Sequence, residues 1–194
     1  MVNVSEDTKP SRGRPARLGR AEGTAVAEHL FHRDGYDQVG VAALCDALGV
    51  RQPALYRVFG SKAGVLDAAL ESYAASPSAS FVAEEAAHSD SPAGLTRNVL
   101  LRAAAVYAND PERPGCLALE TAYGSADPHA RAAAGVLVDR ARGFLKQRFE
   151  ALGAPDADAS ATAVLLAMRG LSSEARVGRS GDDLRSAVHA LIDR

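Results

Sequence analysis

A chain of 194 residues can bury a core of its own, as one extended domain or as a small domain joined to a larger one. Hydrophobic residues make up 47%, but aromatics only 5% with no tryptophan; Ala, Leu and Val dominate, a balance that predicts an all-α fold. The net charge of −2 announces no nucleic-acid partner by itself, no stretch approaches the roughly 18 apolar residues of a membrane span, and the two cysteines lack the CxxC spacing of a zinc site. With no apolar signal core at its start, the chain is expected to be cytoplasmic, away from membranes, and without metal or cofactor.

The first 19 residues set Pro10, Gly13, Pro15 and Gly19 among Lys9, Arg12, Arg14 and Arg17, a composition that reads as a basic flexible arm able to touch phosphates nonspecifically. A helix is expected from Arg20 to Arg33, with Val26, Ala27, Leu30 and Phe31 inward and Gly35 as its stop. Val41, Leu44, Cys45 and Leu48 then fall at i, i+3, i+4 and i+7, one apolar face of a short second helix closed by Gly49. A third begins near Gln52, tolerates Pro53 in its first turn, buries Leu55, Val58 and Phe59, and ends at Gly60. Ser61 is the candidate N-cap of a fourth helix to about residue 75, which would join the two halves.

The stretch from Ser76 to Pro92 is rich in Ser and Ala and weakly periodic, and reads as a loop. Five further helices are expected over Leu95–Ala108, Arg113–Tyr123, Pro128–Leu152, Ala157–Val177 and Asp182–Asp193, about nine in all. Charge divides unevenly along this order: residues 1–62 carry nine basic and seven acidic side chains, residues 63–194 thirteen and seventeen.

Three helices within the first 60 residues, the second and third joined by a tight Gly49-Val50 turn, match the helix-turn-helix arrangement that lays its second helix in the DNA major groove. The ordered segments Gly35-Tyr36-Asp37, Val41-Ala42-Ala43-Leu44, Leu48-Gly49-Val50, Ala54-Leu55-Tyr56 and Phe59-Gly60-Ser61-Lys62 resemble the signature of the tetracycline-repressor family. The resemblance is dense over residues 20–73 and looser over the rest, whose length and helix count also suit that family.

The resemblance implies that the recognition helix begins Arg51-Gln52-Pro53-Ala54, with the Gln-Pro pair facing bases. Side-chain chemistry agrees: Arg51 can donate a bidentate pair to guanine, Gln52 can read adenine, and Pro53 and Ala54 offer apolar contact to a thymine methyl. Tyr56, Arg57 and Lys62 follow at spacings suited to phosphates. Two positions depart from the family pattern. Gly40 stands where Ser or Thr commonly caps the second helix, and Gly64 where Glu commonly completes a capping box.

The resemblance further implies three parts: the arm (1–19), a DNA-binding domain (20–62) and an effector-binding and dimerisation domain (63–194). It implies a homodimeric repressor released from a palindromic operator on double-stranded DNA by a small-molecule effector. The last two helices would form the dimer interface, through Val164, Met168, Leu171, Ala175, Leu184, Val188, Leu191 and Ile192. Candidate pocket residues are Tyr107, Cys116, Glu120, Tyr123, Phe144 and Met168, a few polar groups among aromatics.

Arg113-Pro114-Gly115-Cys116-Leu117 resembles a Gly-Cys-Leu element found in one branch of the family. A thiolate there, near a helix N-terminus and Arg113, would suit a redox or electrophile sensor, whereas the burial habit of free cysteine makes Cys116 a small packed side chain. Two other functions remain open. A thiol-dependent enzyme would pair Cys116 with His129 or Glu120, although no catalytic signature surrounds them. A helical protein-interaction module would need apolar anchors where Arg51, Gln52, Tyr56 and Lys62 stand.

Overall fold

The structure, a computed structural model, describes residues 18–192; most of the basic arm therefore lies outside the described residues. Ten helices run through them: α1 (Arg20–Asp34), α2 (Val41–Ala47), α3 (Gln52–Phe59), α4 (Lys62–Ala74), α5 (Pro77–Ala87), α6 (Pro92–Tyr107), α7 (Leu117–Gly124), α8 (Pro128–Ala151), α9 (Ala157–Arg176) and α10 (Gly181–Ile192). No strand forms among the described residues, and the fold is all-α.

Local chemistry sets most of the starts. Ser61 accepts the Gly64 amide at 3.0 Å, Ser91 accepts that of Gly94 at 3.2 Å, and Asp156 accepts that of Ala159 at 2.9 Å. Pro53, Pro77, Pro92 and Pro128 occupy first turns, where a missing N–H costs nothing. Ser76-Pro77 is such a start, and it opens α5 where a loop was expected. The period was masked there by small residues, but Phe81, Val82 and Ala86 bury one side of the helix. The seventh helix in turn begins at Leu117 rather than Arg113, because Pro114 and Gly115, the latter at φ +79°, keep the preceding residues in turns.

The first three helices form one cluster, with α1 packed on α2 and α4, and α3 on α2 and α4. Beyond it α8 lies against α7 and α9, and α6 against α5, α9 and α10. The helix α4 packs in both groups, since it also reaches α5, α7 and α8.

The stripes expected to meet a partner turn inward instead. Val164, Met168, Leu171 and Ala175 on α9, and Leu184 and Val188 on α10, are buried within their own chain. The reason is physical: a helical period marks the buried face without telling whose atoms bury it, and α6 covers both helices here. Leu191 remains exposed and Ile192 half-buried.

Candidate nucleic-acid interface and cavity

Between α2 and α3 the chain turns within four residues. Gly49 adopts φ +61°, its amide bonds the Asp46 carbonyl at 3.2 Å, and the Val50 amide returns to Cys45 at 3.0 Å. A residue with a Cβ pays about 1 kcal/mol to adopt that backbone, so glycine makes the turn tight at little cost. Leu55 and Phe59 anchor α3 beneath, and its opposite side presents Arg51, Gln52, Pro53, Tyr56 and Arg57 to solvent, with Ala54 half-buried. Gln52 Nε2 donates to Tyr56 Oη at 2.9 Å, one turn apart, which holds both side chains along the exposed face.

Lys62 is placed differently. Its Nζ donates to the Tyr36 carbonyl at 2.8 Å and lies 4.0 Å from the centroid of the Tyr36 ring, leaving two N–H donors for an outside acceptor. Partial burial holds the ammonium below its ordinary value, opposed by the carboxylates of Asp37 and Asp127. Arg20 braces the far end of α3: it donates to the Val58 carbonyl at 2.9 Å and lies 5.3 Å from the Phe59 ring centroid. Sequence reasoning gave Arg20 no role. Gly64, a departure from the family pattern, has a steric cause, since a Cβ there would collide with the Phe59 carbonyl oxygen.

In the other half, α4 to α9 line a half-open apolar cavity of about 320 Å³. Tyr107, Cys116, Phe144 and Met168 line it, joined by Phe81 and Val82 from α5, which sequence reasoning missed because that segment read as a loop. Glu120 and Tyr123 lie outside it: Tyr123 is half-exposed with the Arg169 guanidinium 4.4 Å from its ring centroid. A polar recess of about 440 Å³ adjoins the cavity across Tyr73 and Ser78. Its charges are already matched, Arg113 with Glu28 at 3.9 Å and Asp110 at 3.3 Å, and Arg102 with Glu85 at 3.9 Å.

Cys116 caps α7 from a buried position, and its sulfur accepts the Tyr73 hydroxyl at 3.3 Å. Burial holds the thiol above its ordinary value, opposed by hydrogen bonds from Tyr73 and the Leu119 and Ala118 amides. The thiol is therefore neutral near pH 7, and Arg113 is spent on carboxylates. Neither imagined base serves it, since His129 bonds Asp67 at 2.9 Å and Glu120 accepts from Ser172 at 2.7 Å.

A chain of polar contacts joins the two halves behind the cavity. Ser172 Oγ accepts the Cys116 amide at 2.8 Å and donates to Glu120, whose other oxygen lies 3.8 Å from Arg176. Arg176 in turn donates to the His32 and Arg33 carbonyls at 2.8 and 3.4 Å, closing the last turn of α1 with a cation, where the helix dipole favours one. His32 Nε2 donates to the Gly115 carbonyl at 3.2 Å, and desolvation lowers its pKa to about 4. Asp37 adds a second tie from the α1–α2 loop to the α7–α8 loop, accepting from Ser125 at 2.7 Å and the Ala126 amide at 2.6 Å.

Comparison with known proteins places this architecture. Residues 24–69 match the family described as bacterial regulatory proteins, tetR family. Over 185 residues, 95% of this chain and 91% of the relative, the sequence is 32% identical to the HTH-type transcriptional repressor BdcR of Escherichia coli K12. Among solved structures, a cysteine mutant of the TetR family transcriptional regulator CifR, complexed with 26-bp operator DNA, superposes with TM-score 0.79 at 23% identity, covering 93% of this chain and 98% of that one. A Streptomyces avermitilis protein described as a TetR-type transcriptional regulator gives TM-score 0.67 at 28% identity, covering 90% and 97%.

Proposed function

The chain belongs to the TetR family of bacterial transcriptional regulators, and from that premise we propose that it is a cytoplasmic, homodimeric repressor released from a palindromic operator by a small molecule. Residues 20–62 hold the DNA and residues 63–194 sense the effector and dimerise. The observation that carries the reading is the outward face of α3, where Arg51, Gln52, Pro53, Tyr56 and Arg57 stand exposed over the buried Leu55 and Phe59. Arg51 to Ala54 read base edges, while Tyr56, Arg57 and the anchored Lys62 hold phosphates and fix the register.

Dimerisation uses the outward faces of α9 and α10. Leu166, Val177 and Leu191 are the exposed large apolar residues there, and Ala163, Gly170, Ala187 and Ala190 between them let a second pair of helices approach closely. Two recognition helices then address half-sites about 34 to 36 Å apart, one turn of DNA. The cavity is the effector site, and α4 carries the signal, since it places Tyr73 in the cavity wall and begins directly beyond α3.

Selecting bound sequences from a random DNA pool tests this reading. The expected result is an enriched palindrome bound by two protomers, with binding falling as salt rises. Retention without enrichment contradicts it.

A further inference from the structure

We propose that the cavity takes an uncharged, compact and mostly apolar molecule whose acceptor oxygen, of the carbonyl or ether kind, seats on the Tyr107 hydroxyl. The inference rests on the reading of the cavity as the effector site and deepens it. Tyr107 is wholly buried, it lines the cavity, and its Oη makes no hydrogen bond of acceptable geometry among the described residues. Such a group is held at a cost that a matching ligand atom removes.

The neighbours explain why the hydroxyl stays unpaired. Cys116 Sγ accepts the Tyr73 hydroxyl at 3.3 Å and interacts electrostatically with the Tyr107 hydroxyl, but outside hydrogen-bond geometry. Phe81 meets the Tyr107 ring edge to face at 6.1 Å and 79°, which fixes where the hydroxyl sits. The buried polar groups of the lining are thus three neutral side chains, Tyr73, Tyr107 and Cys116, since burial pushes the ionisation of each upward. Neutral dipoles recognise a dipole, whereas a buried ion among them would lack a countercharge. Arg140 is the one charged lining residue among those described, and it is exposed. The volume of about 320 Å³ sits at the small end of ligand pockets, which span roughly 300 to 1,000 Å³.

Three probes of one shape test the proposal: acetophenone, α-methylstyrene, in which a CH₂ replaces the carbonyl oxygen, and benzoate. The methyl resonance of Met168 reports occupancy directly, because Met168 lines the cavity and the only other methionine is Met1. Each probe is titrated against the wild type and against Tyr107→Phe, which deletes only the unpaired oxygen. That variant should melt no lower than the wild type. Comparing the two proteins for each probe cancels the differing hydrophobicity of the probes.

The expected result is that Tyr107→Phe weakens acetophenone about fivefold, the size of one net hydrogen bond, and leaves α-methylstyrene unchanged. Benzoate should leave Met168 unmoved. If both neutral probes move Met168 but the variant weakens them equally, the proposed contact is overturned while the cavity stands as a binding site. If neither moves it, the effector-site reading fails too. Benzoate binding as tightly as acetophenone overturns the claim of neutrality.

Discussion

The face of α3 and the lining of the cavity solve opposite problems. On the face of α3, polar side chains are exposed and available, and the seven consecutive residues from Arg51 to Arg57 place them all. Within the cavity, the buried polar groups are few and neutral, and α4, α6 and the start of α7 must come together before Tyr73, Tyr107 and Cys116 meet. The proposed DNA contact rests on chemistry written locally, the proposed ligand site on chemistry that exists only in the fold. The strut from Ser172 through Glu120 and Arg176 to α1 is where the two depend on each other.

The largest expected effect lies at that junction. Gly115 adopts φ +79°, and a Cβ on it would stand 2.7 Å from Ser172 Oγ. Gly115→Ala should therefore cost about 2 to 4 kcal/mol in urea unfolding, from backbone strain together with the clash. A loss below about 1 kcal/mol would mean that the strut yields, and that the halves are less coupled than described.

His32 sharpens the same point through pH. Its pKa of about 4 in the folded chain, against an ordinary 6.5, means that the unfolded chain binds the extra proton between those values. The stability from a neutral His32 is full above about pH 6.5 and lost as pH falls towards 4, by up to about 3 kcal/mol. His32→Gln, which keeps an N–H for the Gly115 carbonyl, should flatten that part of the stability curve. Parallel curves for the two proteins would show that His32 is not held neutral.

Effects on DNA come next and should leave stability within about 0.5 kcal/mol. Gln52→Ala removes the amide proposed to read a base, together with the bond to Tyr56, and should cost about 1 to 3 kcal/mol on the selected operator but little on unrelated DNA. Smallest is Arg57→Ala, which should weaken all sequences alike and lower the salt slope by about 1. Titration across salt concentrations separates the two, and a sequence-dependent loss at Arg57 would reassign it to base reading.

What the sequence made legible follows the same division. The helices around the turn could be read because their signals are local: glycine at 35, 49 and 60, proline at 53, and an apolar residue every third or fourth position. The cavity was half legible. The expectation of a few polar groups among aromatics finds Tyr107, Cys116, Phe144 and Met168, yet it also selects Glu120, which holds Ser172, and Tyr123, which faces solvent. Nothing in a single helix tells those outcomes apart. The inward stripes of α9 and α10 taught the same lesson, since Val164 and Val188 show that a side is buried and not by whom. Ser76-Pro77 was a readable start that weak periodicity overrode.

The central claim is that α3 reads bases, and the most direct test compares the sequences selected by the wild type with those selected by Arg51→Ala. If Arg51 donates to a guanine, the variant should recover the same palindrome with its preference relaxed at one symmetry-related pair of positions and intact elsewhere. Recovery of an unchanged motif at every position would contradict the placement of Arg51 at a base edge, and with it the docking of α3 in the major groove.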